Sequence, residues 1–131
     1  MKVELGEIER CVEGMIPPAI VTCSAAGEPN VTHLSQIQIV DDRHIAASNQ
    51  FFGKTVANVT ENPRACLLVH DHESGVMYRL DVRFARREHA GPTFDSLSRG
   101  IDAIAALTGM EDVFRLVSAD IYEVLECEPL T

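Results

Sequence analysis

The stretch VMYRLDVRFAR, residues 76–86, carries the clearest structural signal in this sequence of 131 residues. Its apolar side chains recur at every second position from Val76 to Phe84, and Arg79, Asp81 and Arg83 occupy positions between them. Successive side chains of a strand point to opposite faces of a sheet. The alternation therefore predicts a long strand with one face in a core.

Further strand signals lie on both sides of this stretch. The apolar run ACLLVHD (65–71) precedes it, and the intervening Glu73-Ser74-Gly75 is typical of a hairpin turn. Four other runs have strand character: AIVTCS (19–24), VTHLSQIQIV (31–40), HIAAS (44–48) and VFRLVSADIYEVLEC (113–127). The sequence therefore predicts six strands, joined mainly by hairpins.

Three helices are predicted before and between the strands. Residues 3–15 carry apolar side chains at helical spacing, and residues 54–62 form a short helix that ends before Pro63. Residues 93–109 form an amphipathic helix with Thr93 as a candidate N-cap. Hairpin-linked strands with helices at the seams indicate a mainly β protein, a small antiparallel barrel with helical additions.

Length and composition limit the classes of function. We expect one domain, residues 1–131, because a chain of this length buries a core of its own. The formal net charge of −9 argues against nucleic-acid binding, and the arginines at 83, 86 and 87 are interpreted as a solvated face. No apolar run is long enough for a membrane span. Four scattered cysteines and a charged start without a signal core predict a cytoplasmic protein.

The segment SNQFFGKTVANVTENP, residues 48–63, contains a triplet that is typical of phosphate loops, Gly53-Lys54-Thr55. A nucleotide triphosphate loop needs a second glycine five residues earlier, where this sequence has Ser48. Phe51 and Phe52 are also too bulky for a backbone that wraps around phosphates, and they fit better as apolar wedges at the corner. However, a strand that leads into a helix start offers free N–H groups and a lysine to a single phosphate. The alternative is an ordinary exposed lysine at a helix start.

A wider match involves five features in order: AAGEPNV (25–31), HLSQIQIV (33–40), DDRHIAASN (41–49), GKTVANV (53–59) and ENPRA (61–65). In this order and spacing the chain resembles the flavin-binding split-barrel family related to pyridoxamine 5'-phosphate oxidase. The resemblance extends over about residues 16–86. It implies a homodimer of six-stranded antiparallel split β-barrels, with FMN in a cleft between the subunits.

The resemblance also implies which residues contact the cofactor. The second strand would contact the ribityl phosphate and the isoalloxazine ring, Ser48 and Asn49 would lie beside the flavin, and residues 53–55 would take the phosphate. Met77 or Tyr78 would sit near the ring. The cofactor-binding residues implied are His33, Ser35, Gln36, Gln38, Ser48, Asn49, Gly53, Lys54, Thr55, Met77 and Tyr78. No metal ligand and no catalytic side chain is predicted.

The sequence departs from the oxidase in ways that bear on activity. The oxidase carries basic residues where His33 and often where Gln38 stand, and it holds its substrate with a tryptophan and an arginine near the C-terminus. This chain has no tryptophan, and its tail, ADIYEVLECEPLT (119–131), lacks the arginine motif. We therefore expect a flavin-dependent oxidoreductase that acts on another small molecule, with NAD(P)H or a reduced partner as electron source.

Two alternatives stay open at this stage. The same dimeric barrel could store or sense a flavin or a haem without turnover. Haem is held by histidines in one branch of the family, and four histidines are candidate ligands here: His33, His70, His72 and His89. His70 and His72 also share a strand face, which is half of a metal site, but polar residues are normal so close to a turn.

Overall fold

The computed structural model describes residues 1–13, 16–50, 53–109 and 115–130. In these residues, seven strands form one antiparallel sheet, accompanied by a 3₁₀ helix and three α-helices. The helices are the 3₁₀ helix Leu5–Ile8, α1 (Glu9–Glu13), α2 (Gly53–Glu61) and α3 (Pro92–Thr108). The strands are β1 (Ala19–Cys23), β2 (Pro29–His33), β3 (Ile37–Ile39), β4 (His44–Asn49), β5 (Arg64–His70), β6 (Met77–Glu88) and β7 (Ser118–Pro129).

The sheet curls into a barrel because its two edge strands are neighbours in the chain. The strand order is β2-β1-β5-β6-β7-β4-β3, so β2 and β3 lie at opposite edges. The chain from His33 to Ile37 can span at most about 14 Å, which brings the two edges together. Register shifts in the β6–β7 pairing, after Asp81 and after Phe84, add the local twist that such curvature needs. The expected antiparallel barrel is confirmed.

One detail of the predicted fold is corrected by the structure. The run at residues 31–40 is divided between two strands, so the described residues contain seven strands where the sequence predicts six. The reason is a change of hydrogen-bonding partner. The backbone N–H of Leu34 donates to the carbonyl of Pro18, whereas the carbonyl of Gln36 accepts from the N–H of Ser48. We call residues 34–36 the crossover.

Two apolar clusters hold the barrel together. The interior cluster combines side chains from the 3₁₀ helix, α1, α2, the crossover and all strands except β2, with Leu67, Leu80 and Val82 fully buried. The second cluster lies outside the barrel, where Leu97 and Ile101 of α3 cover the outer face of β4 and β7. Both faces of β4 are therefore buried, and packing on both sides holds the strand in position up to its end.

Most predicted elements are found near their expected bounds. The long alternating strand is β6, and Gly75 before it has a φ of 77°, as its turn requires. α3 begins at Pro92 with Gly91 as N-cap, so the expectation for Thr93 is wrong; proline is favoured in the first turn of a helix. Gly109 ends α3 in the left-handed conformation. Residues 14–15 of the first predicted helix and 113–114 of the last predicted strand lie outside the described residues.

Candidate functional site

The crossover is hydrogen-bonded to the end of β4. The N–H of Gln36 donates to Ser48 Oγ at 3.1 Å, and the N–H of Ser48 donates to the carbonyl of Gln36 at 3.0 Å. The hydroxyl of Ser35, one residue before Gln36, donates to the side-chain oxygen of Gln50, two residues after Ser48. The structure thus brings together three of the predicted site residues, Ser35, Gln36 and Ser48.

Gln50 is a site residue that the sequence did not reveal. It follows β4 directly, and the residue is only 6% exposed. Its Oε1 accepts the Ser35 hydroxyl, but its Nε2 has no hydrogen-bond partner among the described residues. A buried amide nitrogen without an acceptor costs free energy unless a ligand or water supplies one. Its sequence signal was weak, since it is a single glutamine between the strand end and two phenylalanines.

Asn49 is held from the inner side of the barrel by a buried polar chain. Its Nδ2 donates to Ser118 Oγ at 2.9 Å, and Ser118 Oγ donates to Asp120 Oδ1 at 2.7 Å. Arg87 completes the chain with donations from Nε at 2.9 Å and from Nη2 at 3.3 Å to the two carboxylate oxygens of Asp120. The side chain of Asn49 is therefore hydrogen-bonded to β7. We call these four residues the polar chain.

The interpretation of Arg87 as part of a solvated face is wrong. Its guanidinium pairs with the buried carboxylate of Asp120 and lies 4.9 Å from the ring centre of Phe84. The Phe84 ring meets Tyr122 edge to face, and burial raises the pKa of that tyrosine. The arginine therefore closes one end of the barrel interior.

Residues 53–55 form the first turn of α2, which follows β4 after the undescribed residues 51–52. The interpretation of Phe51 and Phe52 as apolar wedges concerns these two residues and so lies outside the described part of the chain. Lys54 is exposed, and its amine has no ion-pair partner within the described part of the chain. The space beside Gly53 is open, because a methyl group built there would meet no atom within 4 Å. Thr55 is buried, and its hydroxyl accepts from Asn30 of β2 at 3.5 Å.

Two of the remaining predicted residues lie next to the crossover and two lie apart from it. His33 is exposed at the end of β2, and Gln38 lies in β3 opposite Ala46 of β4. The crossover interrupts the strand between them, so the alternation of side chains along one strand does not set their relative orientation. Met77 and Tyr78 begin β6, three strands away from β2 in the sheet, which is about 14 Å. Within one chain they are therefore separated from His33.

The turn after β5 places His70 and His72 in different settings. His70 is the last residue of the strand, and His72 lies in the turn. Asp71 between them organises the turn by accepting from the backbone N–H groups of Glu73 and Ser74, and it pairs with Arg10 of α1. The Glu73 hydrogen bond contributes most to holding the pKa of Asp71 below its usual value. In the described ranges, no three His, Cys, Asp or Glu side chains are grouped as a metal site would require.

The comparisons with known proteins agree with this fold. The sequence from residue 6 to residue 124 matches the family model of pyridoxamine 5'-phosphate oxidase. The chain belongs to the pyridoxamine 5'-phosphate oxidase family. As in the family, an antiparallel sheet curled into a split barrel is the frame of the site. No curated protein matches the chain.

Three solved structures share the family fold with this chain. An FMN-binding protein from Syntrophomonas wolfei subsp. wolfei has 19% identity and a TM-score of 0.78, and the match covers 95% of this chain and 85% of that one. HupZ of Group A Streptococcus has 18% identity and a TM-score of 0.71, with coverage of 95% and 92%. A protein related to general stress protein 26, of the pyridoxinephosphate oxidase family, comes from Clostridium acetobutylicum. It has 17% identity and a TM-score of 0.61, with coverage of 97% and 93%.

None of the helices that the structure describes has the length and apolar character needed to cross a bilayer.

Proposed function

We propose that the protein binds FMN with its phosphate at the start of α2 and uses the flavin in an oxidoreductase reaction. The observation that carries this proposal is the pair formed by Lys54 and Gln50. Lys54 offers an exposed amine without an ion-pair partner among the described residues, and Gln50 offers a buried N–H donor without an acceptor. Both flank the corner between β4 and α2, where the helix dipole also favours an anion.

The residues present fit a flavin monophosphate in charge and in hydrogen-bonding character. The phosphate needs cations and N–H donors, which Lys54 and the open first turn of α2 supply. The flavin ring needs donors and acceptors at its polar edge, and we assign these to the amides of Gln38, in β3, and of Gln50, beside the crossover. Thr55 faces the sheet, so we assign the phosphate to Lys54 and to the α2 backbone.

FMN, when bound, supplies reversible electron transfer, and we propose a reduced nicotinamide as its electron source. The protein's own contribution is to hold the phosphate and to fix the polar edge of the site. Ser48 is fixed to Gln36 by hydrogen bonds in both directions, and Asn49 is fixed by the polar chain. Hydrogen-bond donors that are held in position can tune the reduction potential of the flavin, because they need no reorganisation during the reaction. We propose a substrate other than pyridoxamine 5'-phosphate, because the sequence has no tryptophan and residues 119–131 lack the arginine motif.

The test of this proposal begins with the visible spectrum of the purified protein after incubation with FMN. A yellow protein with one FMN per chain is expected, whereas a Soret band would replace the proposal with haem binding. A protein that stays colourless would contradict both FMN binding and haem binding.

The free thiols of all four cysteines support a reducing compartment, and we propose the cytoplasm.

Lys54→Ala tests the phosphate assignment directly. The loss of a charge-assisted hydrogen bond should weaken FMN binding by about 1.5–3 kcal/mol, measured by fluorescence titration. Lys2→Ala is the matched control, because Lys2 is the other lysine of the chain and pairs weakly with Glu128 at 3.8 Å. Unchanged FMN affinity in Lys54→Ala would mean that the phosphate binds elsewhere.

We further propose that two copies associate through the outer face of β1, β2 and β5. Val31 is 62% exposed there, and it pairs across the strands with Val21, which in turn pairs with Cys66. An uncovered apolar sheet face of this kind is typical of an interface. Val31→Lys should convert the dimer to a monomer in analytical ultracentrifugation, and Glu28→Lys, in the nearby turn, should leave it dimeric. A wild-type monomer at all concentrations would contradict the dimer.

A further inference from the structure

A cavity of about 700 Å³ lies outside the corner at α2. One wall is α1 with Pro17 and Pro18, the floor is the crossover, and the other wall is α3. No residue of β4 or α2 lines it. Its size is in the range of about 300–1,000 Å³ that small-molecule sites occupy. The cavity and the proposed phosphate position therefore share only the crossover as a boundary.

The sequence of α3 explains why the cavity exists. Leu97, Ile101 and Ala105 form the helix face that packs on the barrel. A second face, made of Gly100, Ala103, Ile104 and Leu107, lines the cavity. Its small residues leave space, and its large ones stay open, with Leu107 89% exposed. An amphipathic helix that only packs on a core does not need this second apolar face.

The polar groups of the cavity define which ligand it accepts. Of the residues that the structure describes, no lysine or arginine lines it, and the polar side chains of its lining are those of Glu13, His33, Ser35 and Gln36. The Oε1 atom of Gln36 is buried and has no donor among the described residues. Cys11 contributes a neutral thiol, because burial raises its pKa to about 11. The lining thus offers a hydrogen-bond acceptor and the carboxylate of Glu13, without a lysine or arginine among the described residues, which disfavours anions.

We propose that this cavity binds an uncharged, apolar small molecule with one N–H or O–H donor, which Gln36 Oε1 accepts. Because the floor of the cavity is the crossover that adjoins the flavin corner, we assign this molecule to the substrate side of the reaction. That assignment rests on the proposed function, whereas the binding itself does not. Phosphorylated and sulfonated compounds are excluded by the same lining.

A matched pair of dyes tests the charge and polarity of the ligand. N-phenylnaphthylamine is neutral and apolar and has one N–H, and anilinonaphthalene sulfonate is the same scaffold with an anionic group. The neutral dye should bind one per chain with enhanced fluorescence, at least about tenfold more tightly than the sulfonate. Equal affinities, or no saturable binding of the neutral dye, would overturn the proposal.

Two tryptophan variants of α3 locate the dye. Ala103→Trp fills the cavity, and Ala106→Trp places the same side chain at an exposed helix position that does not line it. The first should weaken binding of the neutral dye by at least about tenfold, and the second should leave it unchanged. Since the chain has no tryptophan of its own, emission from each variant also reports burial. Both variants must retain the wild-type circular dichroism spectrum, and equal dye binding by the two would place the dye elsewhere.

The FMN titration keeps this proposal distinguishable from the proposed function. Ala103→Trp should retain FMN, and the neutral dye at saturation should perturb the visible spectrum of bound FMN. Dye binding without FMN binding supports the cavity and removes the substrate assignment. FMN binding without dye binding overturns the cavity and leaves the proposed function intact. Loss of both dye binding and FMN binding in Ala103→Trp would mean that the cavity and the flavin site are one site, and this would also overturn the inference.

Discussion

Asp120→Ala should lower the free energy of unfolding by about 3 kcal/mol. The side chain of Asp120 is 4% exposed, and it accepts two hydrogen bonds from Arg87 and one from Ser118. Removal of one partner of a buried ion pair costs about 3–5 kcal/mol, because the other charge is left without compensation. The lower end of this range applies here because Arg87 is 24% exposed and can reach water, and because Ser118 keeps its bond from Asn49.

The reciprocal change should cost more. Arg87→Ala leaves the carboxylate of Asp120 buried without its cation, so we expect about 4–5 kcal/mol. In the double variant neither charge is left alone, and the cost should be smaller than the sum of the single changes by about 1.5–3 kcal/mol. Arg83→Ala is the matched control: it removes an exposed arginine from the same strand, and we expect a change within about 0.5 kcal/mol.

Urea denaturation followed by circular dichroism measures these differences. All variants must be compared at one protein concentration, since association would add to the apparent stability. A change below about 1 kcal/mol for Asp120→Ala, or additive costs in the double variant, would refute the reasoning. Either result would mean that the polar chain does not stabilise the end of the barrel.

Two further predictions concern Gln50 and Asp71. Gln50→Met should weaken FMN binding by about tenfold, because it removes the unpartnered N–H donor. It also removes the oxygen that accepts from Ser35, so the free energy of unfolding of the cofactor-free protein should fall by about 1–2 kcal/mol; equal affinity for FMN would remove Gln50 from the site. The backbone N–H of Glu73 holds the pKa of Asp71 below its usual value. The stabilisation by Asp71 is therefore complete above about pH 4 and is lost as the pH falls further. Urea midpoints of Asp71→Asn should depend less on pH in this acid range than those of wild type, and an equal dependence would contradict this.

Local periodicity predicted most of the secondary structure, because it reflects contacts within one element. The alternation in residues 76–86 identified β6, and its buried side chains Leu80 and Val82 face the interior as expected. The short helix before Pro63 and the long helix before Gly109 also agree with their predicted bounds within a few residues. These signals need no knowledge of distant partners.

The parts that the sequence did not reveal depend on partners far along the chain. Arg87 belongs to a charged cluster in the sequence, and only the fold brings it to Asp120, 33 residues later. The break in the run at residues 31–40 left a weak trace: Leu34 and Ile37 are apolar and spaced by three, which a regular strand does not allow on one face. The chain leaves one sheet edge and joins the other at this point.

The hydrogen bonds of the crossover determine which groups of Gln36 are left to bind a ligand. The backbone N–H and carbonyl of Gln36 are both committed to Ser48, so the backbone of this residue is not available to a ligand. The Oε1 atom of its side chain is buried and has no described partner, so it is the group of this residue that is left to accept a hydrogen bond from a ligand. A Cβ at Gly100 would lie 2.5 Å from Cδ of Gln36, so the amide packs against the helix at Gly100 and a larger residue there would displace it. Gln36 therefore acts through its side chain, towards the cavity, while Gln50 and Lys54 serve the corner at α2.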